Sequence, residues 1–120
     1  MTRLLLAFFV LSVALALHAQ APQRPAAAAP AGNADAGKKL FDAVGCYQCH
    51  GREAQGSSAT GPRLGPRPMA FAAFSRYVRQ PTGQMPPYTA KVVSDADMAN
   101  IYAFIRSRPE PAKEIPLLRP

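Results

Sequence analysis

The sequence predicts an all-α fold, a small domain of three helices joined by long irregular stretches. Three observations point there. Apolar residues recur at three- and four-residue spacing in three separate segments. No segment alternates apolar and polar residues as a half-buried strand does. Thirteen prolines in 120 residues keep much of the chain out of helix interiors. The length allows one small domain and excludes a barrel enzyme, a doubly wound nucleotide-binding fold or a multidomain assembly. A core of that size usually needs a covalent, metallic or cofactor staple.

The chain opens with Met1-Thr2-Arg3, a short basic start, and Leu4 to Leu17 is almost wholly apolar. Ala19 and Ala21 supply small residues for a signal peptidase, so residues 1–19 read as a secretory signal peptide. The apolar run is short of the roughly 20 residues that span a bilayer as a helix. Export is therefore expected, to the periplasm of a bacterium. An uncleaved, membrane-associated segment is the alternative. Residues 20–32, QAPQRPAAAAPAG, lack a hydrophobic period and read as a Pro/Ala-rich tether. The domain is expected over 33–108, and a proline-rich tail over 109–120.

The first helix is expected from Ala34 to Val44. Asn33 suits the N-cap, Asp35 the first turn, and Gly45 the stop. Leu40, Phe41 and Val44 form its apolar stripe. The second is expected from Pro68 to Gln80, with Pro68 at the first helical position and Pro81 forbidding continuation. Phe71, Phe74, Tyr77 and Val78 share one face. The third is expected from Asp95 to Ser107, opened by a capping box of Ser94 and Asp97. Met98, Ile101, Tyr102, Phe104 and Ile105 supply its apolar side.

The chemistry concentrates at Cys46-Tyr47-Gln48-Cys49-His50, a C-x-x-C-H motif. Two thiols at this spacing can add to the two vinyl groups of one haem, and the next residue then stands against the iron as proximal ligand. The links would also staple a short core. A thioredoxin-like redox pair wants a strand before the motif, and none is visible. A zinc site wants two further ligands, whereas the sequence has 2 Cys and 2 His, and His18 lies in the signal segment. Haem c is the expected cofactor, and His50 becomes the only histidine left after cleavage.

A second axial ligand must then be Met, Lys, water or something external. Met98 lies in the apolar stripe of the third helix and reads as core. Met69 opens the second helix. Met85 sits in Pro81-Thr82-Gly83-Gln84-Met85-Pro86-Pro87-Tyr88, a stiff extended loop suited to presenting a thioether, or merely to filling a gap.

With these residues in view, the stretch from about Ala34 to Arg108 resembles the class I monohaem c-type cytochromes. The matching segments are the C-x-x-C-H motif, Gly61-Pro62-Arg63-Leu64-Gly65 and Met85-Pro86-Pro87-Tyr88. The resemblance implies the small cytochrome c fold around one covalent haem c, with Met85 as distal ligand. It implies that the carbonyl of Pro62 accepts from the other ring N–H of His50. It also implies that the first helix crosses the last, Gly37 and Phe41 meeting Ile101 and Phe104. Phe104 stands where the family commonly has tyrosine.

An iron with both axial sites filled has one-electron transfer as its easy chemistry. The expected function is a one-electron carrier rather than an enzyme, shuttling between a dehydrogenase and an oxidase or other acceptor in a respiratory chain. A tethered haem subunit of a dehydrogenase complex and an open-site sensor or peroxidase-like protein are the alternatives. Lys+Arg of 14 against Asp+Glu of 7 gives a formal charge of +7 at pH 7 with His neutral, which suits an acidic partner surface. Arg52, Arg63, Arg67, Arg76, Arg79 and Lys91 are the candidate contact charges. Their scatter, and export, argue against nucleic acid. A monomer with no membrane span after cleavage is expected.

Overall fold

The helices opening at Ala34 and Asp95 begin at the caps their sequence offers, whereas the helix opening at Phe71 begins where a tertiary contact releases it. The computed structural model describes residues 28–112. The signal segment 1–19, residues 20–27 of the tether and residues 113–120 of the tail lie outside the described residues. The described residues form four helices: α1, Ala34–Ala43; α2, Tyr47–His50; α3, Phe71–Arg79; and α4, Asp95–Arg106. The described residues contain no strand, only an isolated antiparallel bridge between Ser57 and Gly61. The all-α expectation holds.

α1 starts at Asn33, whose side chain accepts from the Ala36 N–H at 2.8 Å. The Asn33 N–H in turn donates to the side-chain carbonyl of Asn100 at 2.8 Å, so the same residue ties α1 to α4. The helix ends in a Schellman turn. Gly45 adopts φ 82°, its N–H donates to Asp42 O, and the Cys46 N–H donates to Phe41 O. A residue with a Cβ is strained at that φ. This turn delivers Cys46 directly out of α1.

α2 is a single turn that the sequence reading did not place as a helix. Its backbone bonds run from Gln48 N to Gly45 O, His50 N to Cys46 O and Gly51 N to Tyr47 O. One turn is what the motif spacing needs, because residues three and four apart share a face. Cys46, Cys49 and His50 therefore project together.

α3 begins at Phe71, not at Pro68 as expected. Ala70 is extended (φ −52°, ψ 142°) and serves as the cap. The Met69 carbonyl accepts from the Tyr102 hydroxyl at 3.0 Å, which draws the chain across α4 before α3 can start. The C-terminal end follows expectation, Gln80 leaving the helix before Pro81. α4 carries the expected capping box. Ser94 Oγ accepts from the Asp97 N–H, and Asp97 accepts from the Ser94 N–H.

α1 and α4 cross in contact. Gly37 is buried, and a Cβ there would collide with the Asn100 carbonyl and press on Phe104 Cβ. Phe41 and Phe104 pack with ring centroids 5.2 Å apart. Phe104 is only 1% exposed, covered further by the Lys38 ammonium and the Arg108 guanidinium. Its lack of a tyrosine hydroxyl therefore leaves no polar atom to satisfy there. Phe74, Val78, Val93, Met98, Ile101, Tyr102 and Ile105 complete the core, with Phe71 and Phe74 against the Tyr102 ring.

Gly37→Val forces α1 away from α4. It should lower unfolding stability by about 1–3 kcal/mol, the usual cost of overpacking, measured by denaturant titration. Unchanged stability would mean that the crossing has slack.

Candidate functional site

The site is built on the turn that follows α1. α2 holds Cys46 in a half-buried position, Cys49 exposed and His50 buried. The two cysteines are not joined in a disulfide. Around them the backbone is well tied. Gly56 N–H donates to His50 O at 2.7 Å, and Thr60 Oγ1 donates to Cys49 O at 2.8 Å. Ala54 sits fully buried beneath, its carbonyl accepting from the N–H groups of Leu64 and Gly65.

The His50 ring is oriented by a backbone group. Nδ1 lies 2.9 Å from the Pro62 carbonyl. A carbonyl can only accept, so Nδ1 carries a proton, and in the neutral ring Nε2 is then the nitrogen with the lone pair. Gly61 runs alongside, and a Cβ there would lie 3.2 Å from two atoms of the imidazole. The segment is thus a close-fitting rest for the ring. The Pro62 contact that the family resemblance implied is present.

An apolar cavity opens beside the imidazole. Phe41, Leu64, Phe74, Val78, Val93, Met98, Ile101 and Ile105 line it, together with Cys46, His50, Met85 and Tyr88. A second recess adjoins it and opens outward past Cys49, Gln48, Thr60, Tyr77, Gln84 and Pro86. His50, Met85 and Tyr88 border both. Of the expected site residues, Cys46, Cys49, His50 and Met85 come together around this space. Pro62 stands behind the imidazole. Met69 is 52% exposed and borders neither cavity. Met98 reaches the inner cavity from within the core, 1% exposed.

Burial pushes the Cys46 thiol up to about 11, the Tyr88 hydroxyl pulling weakly the other way. The group stays neutral at ordinary pH beside the apolar wall. The Tyr88 phenol is also raised, first by burial and then by the nearby Cys46 and Cys49 charges. Those two charges vanish once both sulfurs are thioethers. Tyr88, the last residue of the Met85-Pro86-Pro87-Tyr88 segment, has a structural role that its sequence position does not reveal. Its hydroxyl donates to the Val44 carbonyl at 3.0 Å, joining the Met85 loop to the end of α1.

The charge assignments need correction. Arg79 is not a surface contact charge. Its side chain is 20% exposed and donates to the carbonyls of Tyr88 (2.9 Å) and Val93 (2.6 Å) and to Asp95 (2.8 Å). Arg67 pairs with Glu110, and Arg52 lies over the Tyr47 ring, 4.5 Å from its centroid. Arg63, Arg76 and Lys91 are exposed and have no side-chain ion pair among the described residues.

The residues fit a covalently attached haem. Two unjoined thiols and an imidazole share one turn, the imidazole has one nitrogen satisfied and the other available, and an apolar cavity lies beside it. No group of three or more His, Cys, Asp or Glu among the described residues could hold a bare metal ion. An all-α domain with this site is a small c-type cytochrome, with haem c as its cofactor and haem-based electron transfer as its chemistry.

The chain belongs to the family cytochrome c oxidase, cbb3-type, subunit III, which matches residues 32–105. No curated protein and no solved structure matches it. Membership of this family implies haem-based electron transfer. No helix among the described residues is long and apolar enough to cross a membrane.

Replacing either Cys46 or Cys49 by Ala should leave one thioether, and replacing both should leave none. Haem that stays with the denatured chain on a gel reads this out directly. Retention by the double variant would contradict the attachment assigned to these thiols.

Proposed function

We propose that the chain is an exported one-electron carrier whose haem iron is held between His50 and Met85. Residues 1–19 act as the signal, 20–32 as a tether, 33–108 as the cytochrome domain and 109–120 as a tail. The observation that carries the ligand reading is that His50 and Met85 border the same two connected cavities from different elements. When bound, haem c supplies a reversible one-electron couple, and a thioether ligand favours its reduced state.

The chain's own residues do the rest. Pro62 fixes the tautomer and plane of His50, as a partner on the far nitrogen of a metal-bound imidazole does. The Cys46 and Cys49 sulfurs provide the covalent hold. Met85 would supply the distal thioether from a loop whose prolines limit its freedom. The apolar lining excludes water and keeps the local dielectric low, which magnifies the effect of any charge change on the potential. Met98, enclosed by the helical core, contributes packing.

Docking is proposed at the outward recess. Gln48, Thr60, Tyr77, Gln84 and Pro86 border it without a charge, so close approach there avoids the larger cost of desolvating an ion. Arg63 and Arg76 follow and precede Pro62 and Tyr77 in the chain, and with Lys91 they are among the exposed cations without an ion pair in the described residues, available for steering an acidic donor or acceptor.

Met85→Ala should abolish the weak far-red band of the oxidised protein. It should also lower the midpoint potential by on the order of 100 mV, within the roughly 0.8 V that axial ligands span. An unchanged spectrum would move the ligand elsewhere, and rapid carbon monoxide binding by the reduced native protein would favour an open-site sensor. Electron transfer to a purified acidic partner should slow as salt rises, because exposed charges are screened beyond about 8 Å at physiological ionic strength. Arg63→Glu with Arg76→Glu should reduce the low-salt rate about tenfold, the lower end of the range for electrostatic steering. A rate indifferent to both changes would remove charge from the docking account.

A further inference from the structure

We propose that Arg79 is a positioning residue that clasps the Met85 loop against α3 and α4, and so governs how readily the distal ligand leaves the iron. The proposal rests on the reading of Met85 as that ligand.

The loop that carries Met85 is fastened to the end of α3 at both sides. At its start, the Tyr77 hydroxyl donates to the Thr82 carbonyl at 3.0 Å. At its far end, Tyr88 N–H donates to the Val78 carbonyl at 3.0 Å, and the Tyr88 carbonyl accepts from Arg79 Nη1 at 2.9 Å. Between these fixed points lies Gly83, at φ 79°, with nothing within 4 Å of the position its Cβ would take. The middle of the loop thus has room to swing, and its ends determine whether it does.

Arg79 does more than fasten one end. The same Nη1 donates to Val93 O at 2.6 Å, and Nη2 reaches Asp95 at 2.8 Å. A single planar group therefore joins the end of the Met85 loop to the entry of α4. Tyr88 and Val93 both line the inner cavity with Met85. Holding their carbonyls on one guanidinium sets the spacing of that wall.

The geometry needs arginine specifically. Two carbonyls and a carboxylate are satisfied from one rigid fork, which an ammonium cannot reproduce with the same directions. Asp95 is 91% exposed in its side chain, so its ion pair is screened and secondary. The two carbonyls are the contacts that matter, because hydrogen bonds from a charged donor are the stronger kind. Removing the donor leaves both carbonyls seeking water, which favours an opened loop.

The test uses the full-length holoprotein with Arg79→Met, Arg79→Lys, Asp95→Asn, Met85→Ala and Tyr102→Phe. Each is measured for the far-red band of the oxidised form, the rate of imidazole binding to the iron, and denaturant stability. Arg79→Met should keep its haem, show a weakened band, and bind imidazole about tenfold faster or more, as expected when a charge-assisted hydrogen bond no longer opposes opening. Arg79→Lys should fall between Arg79→Met and the wild type, and Asp95→Asn should stay close to the wild type. Tyr102→Phe loses its bond to the Met69 carbonyl, away from the loop. It should lose stability without faster imidazole binding, which separates positioning from general loosening. If Arg79→Met loses stability only, with wild-type band and imidazole rate, the clasp is overturned. An unaltered band in Met85→Ala would instead overturn the ligand reading beneath it. If Arg79→Met does not fold, wild-type imidazole binding by Arg79→Lys overturns the clasp and faster binding supports it.

Discussion

The crossing of α1 over α4 is the constraint on which the rest of the structure depends. It is possible because position 37 has no side chain and the Asn100 carbonyl can come up against the bare backbone. Close approach lets Phe41 and Phe104 meet and lets the Asn33 N–H reach Asn100. The crossing also aims the C-terminal end of α1. From there the Schellman turn at Gly45 leads into the single turn of α2, and the thiols and imidazole inherit their place from a helix already locked to the core. A domain this small has few apolar contacts to spare, so a site placed one turn from its best-packed helix pair gains the most rigidity available.

Polar groups do a comparable job on the opposite wall. The Met85 loop makes no regular structure, so it is held by bonds to its neighbours rather than by a ladder of its own. α3 donates to the loop's carbonyls through Tyr77 and Arg79, and the Val44 carbonyl at the end of α1 accepts from the Tyr88 hydroxyl. The loop is thereby fastened to two helices without being absorbed into either. This suits the ligand role proposed for Met85, which asks the segment to hold its position without being part of a helix.

Much of this was legible in the chain of letters, for a physical reason. Helix caps are local devices, and Asn33, Gly45, Ser94 and Asp97 all act where their positions suggested. The C-x-x-C-H spacing is likewise local, and one helical turn turns it into a shared face. The start of α3 was not legible, because Pro68 is a good first residue in isolation and only the Tyr102 hydroxyl, 33 residues away, holds the Met69 carbonyl back. Arg79 was misread for a similar reason. An arginine two residues before a proline looks like exposed charge until the carbonyls of Tyr88 and Val93 are seen to converge on it.

What the sequence alone determined, then, is the chemistry of residues 46–50, the all-α character and the helix caps, since each depends on neighbours within about a turn of chain. The tertiary structure alone decided that Arg79 is drawn onto two carbonyls, that the Tyr88 hydroxyl meets the Val44 carbonyl and where α3 begins. Those outcomes depend on the meeting of segments distant along the chain, and the energy of such a meeting resides in the packed whole rather than in any one stretch of residues.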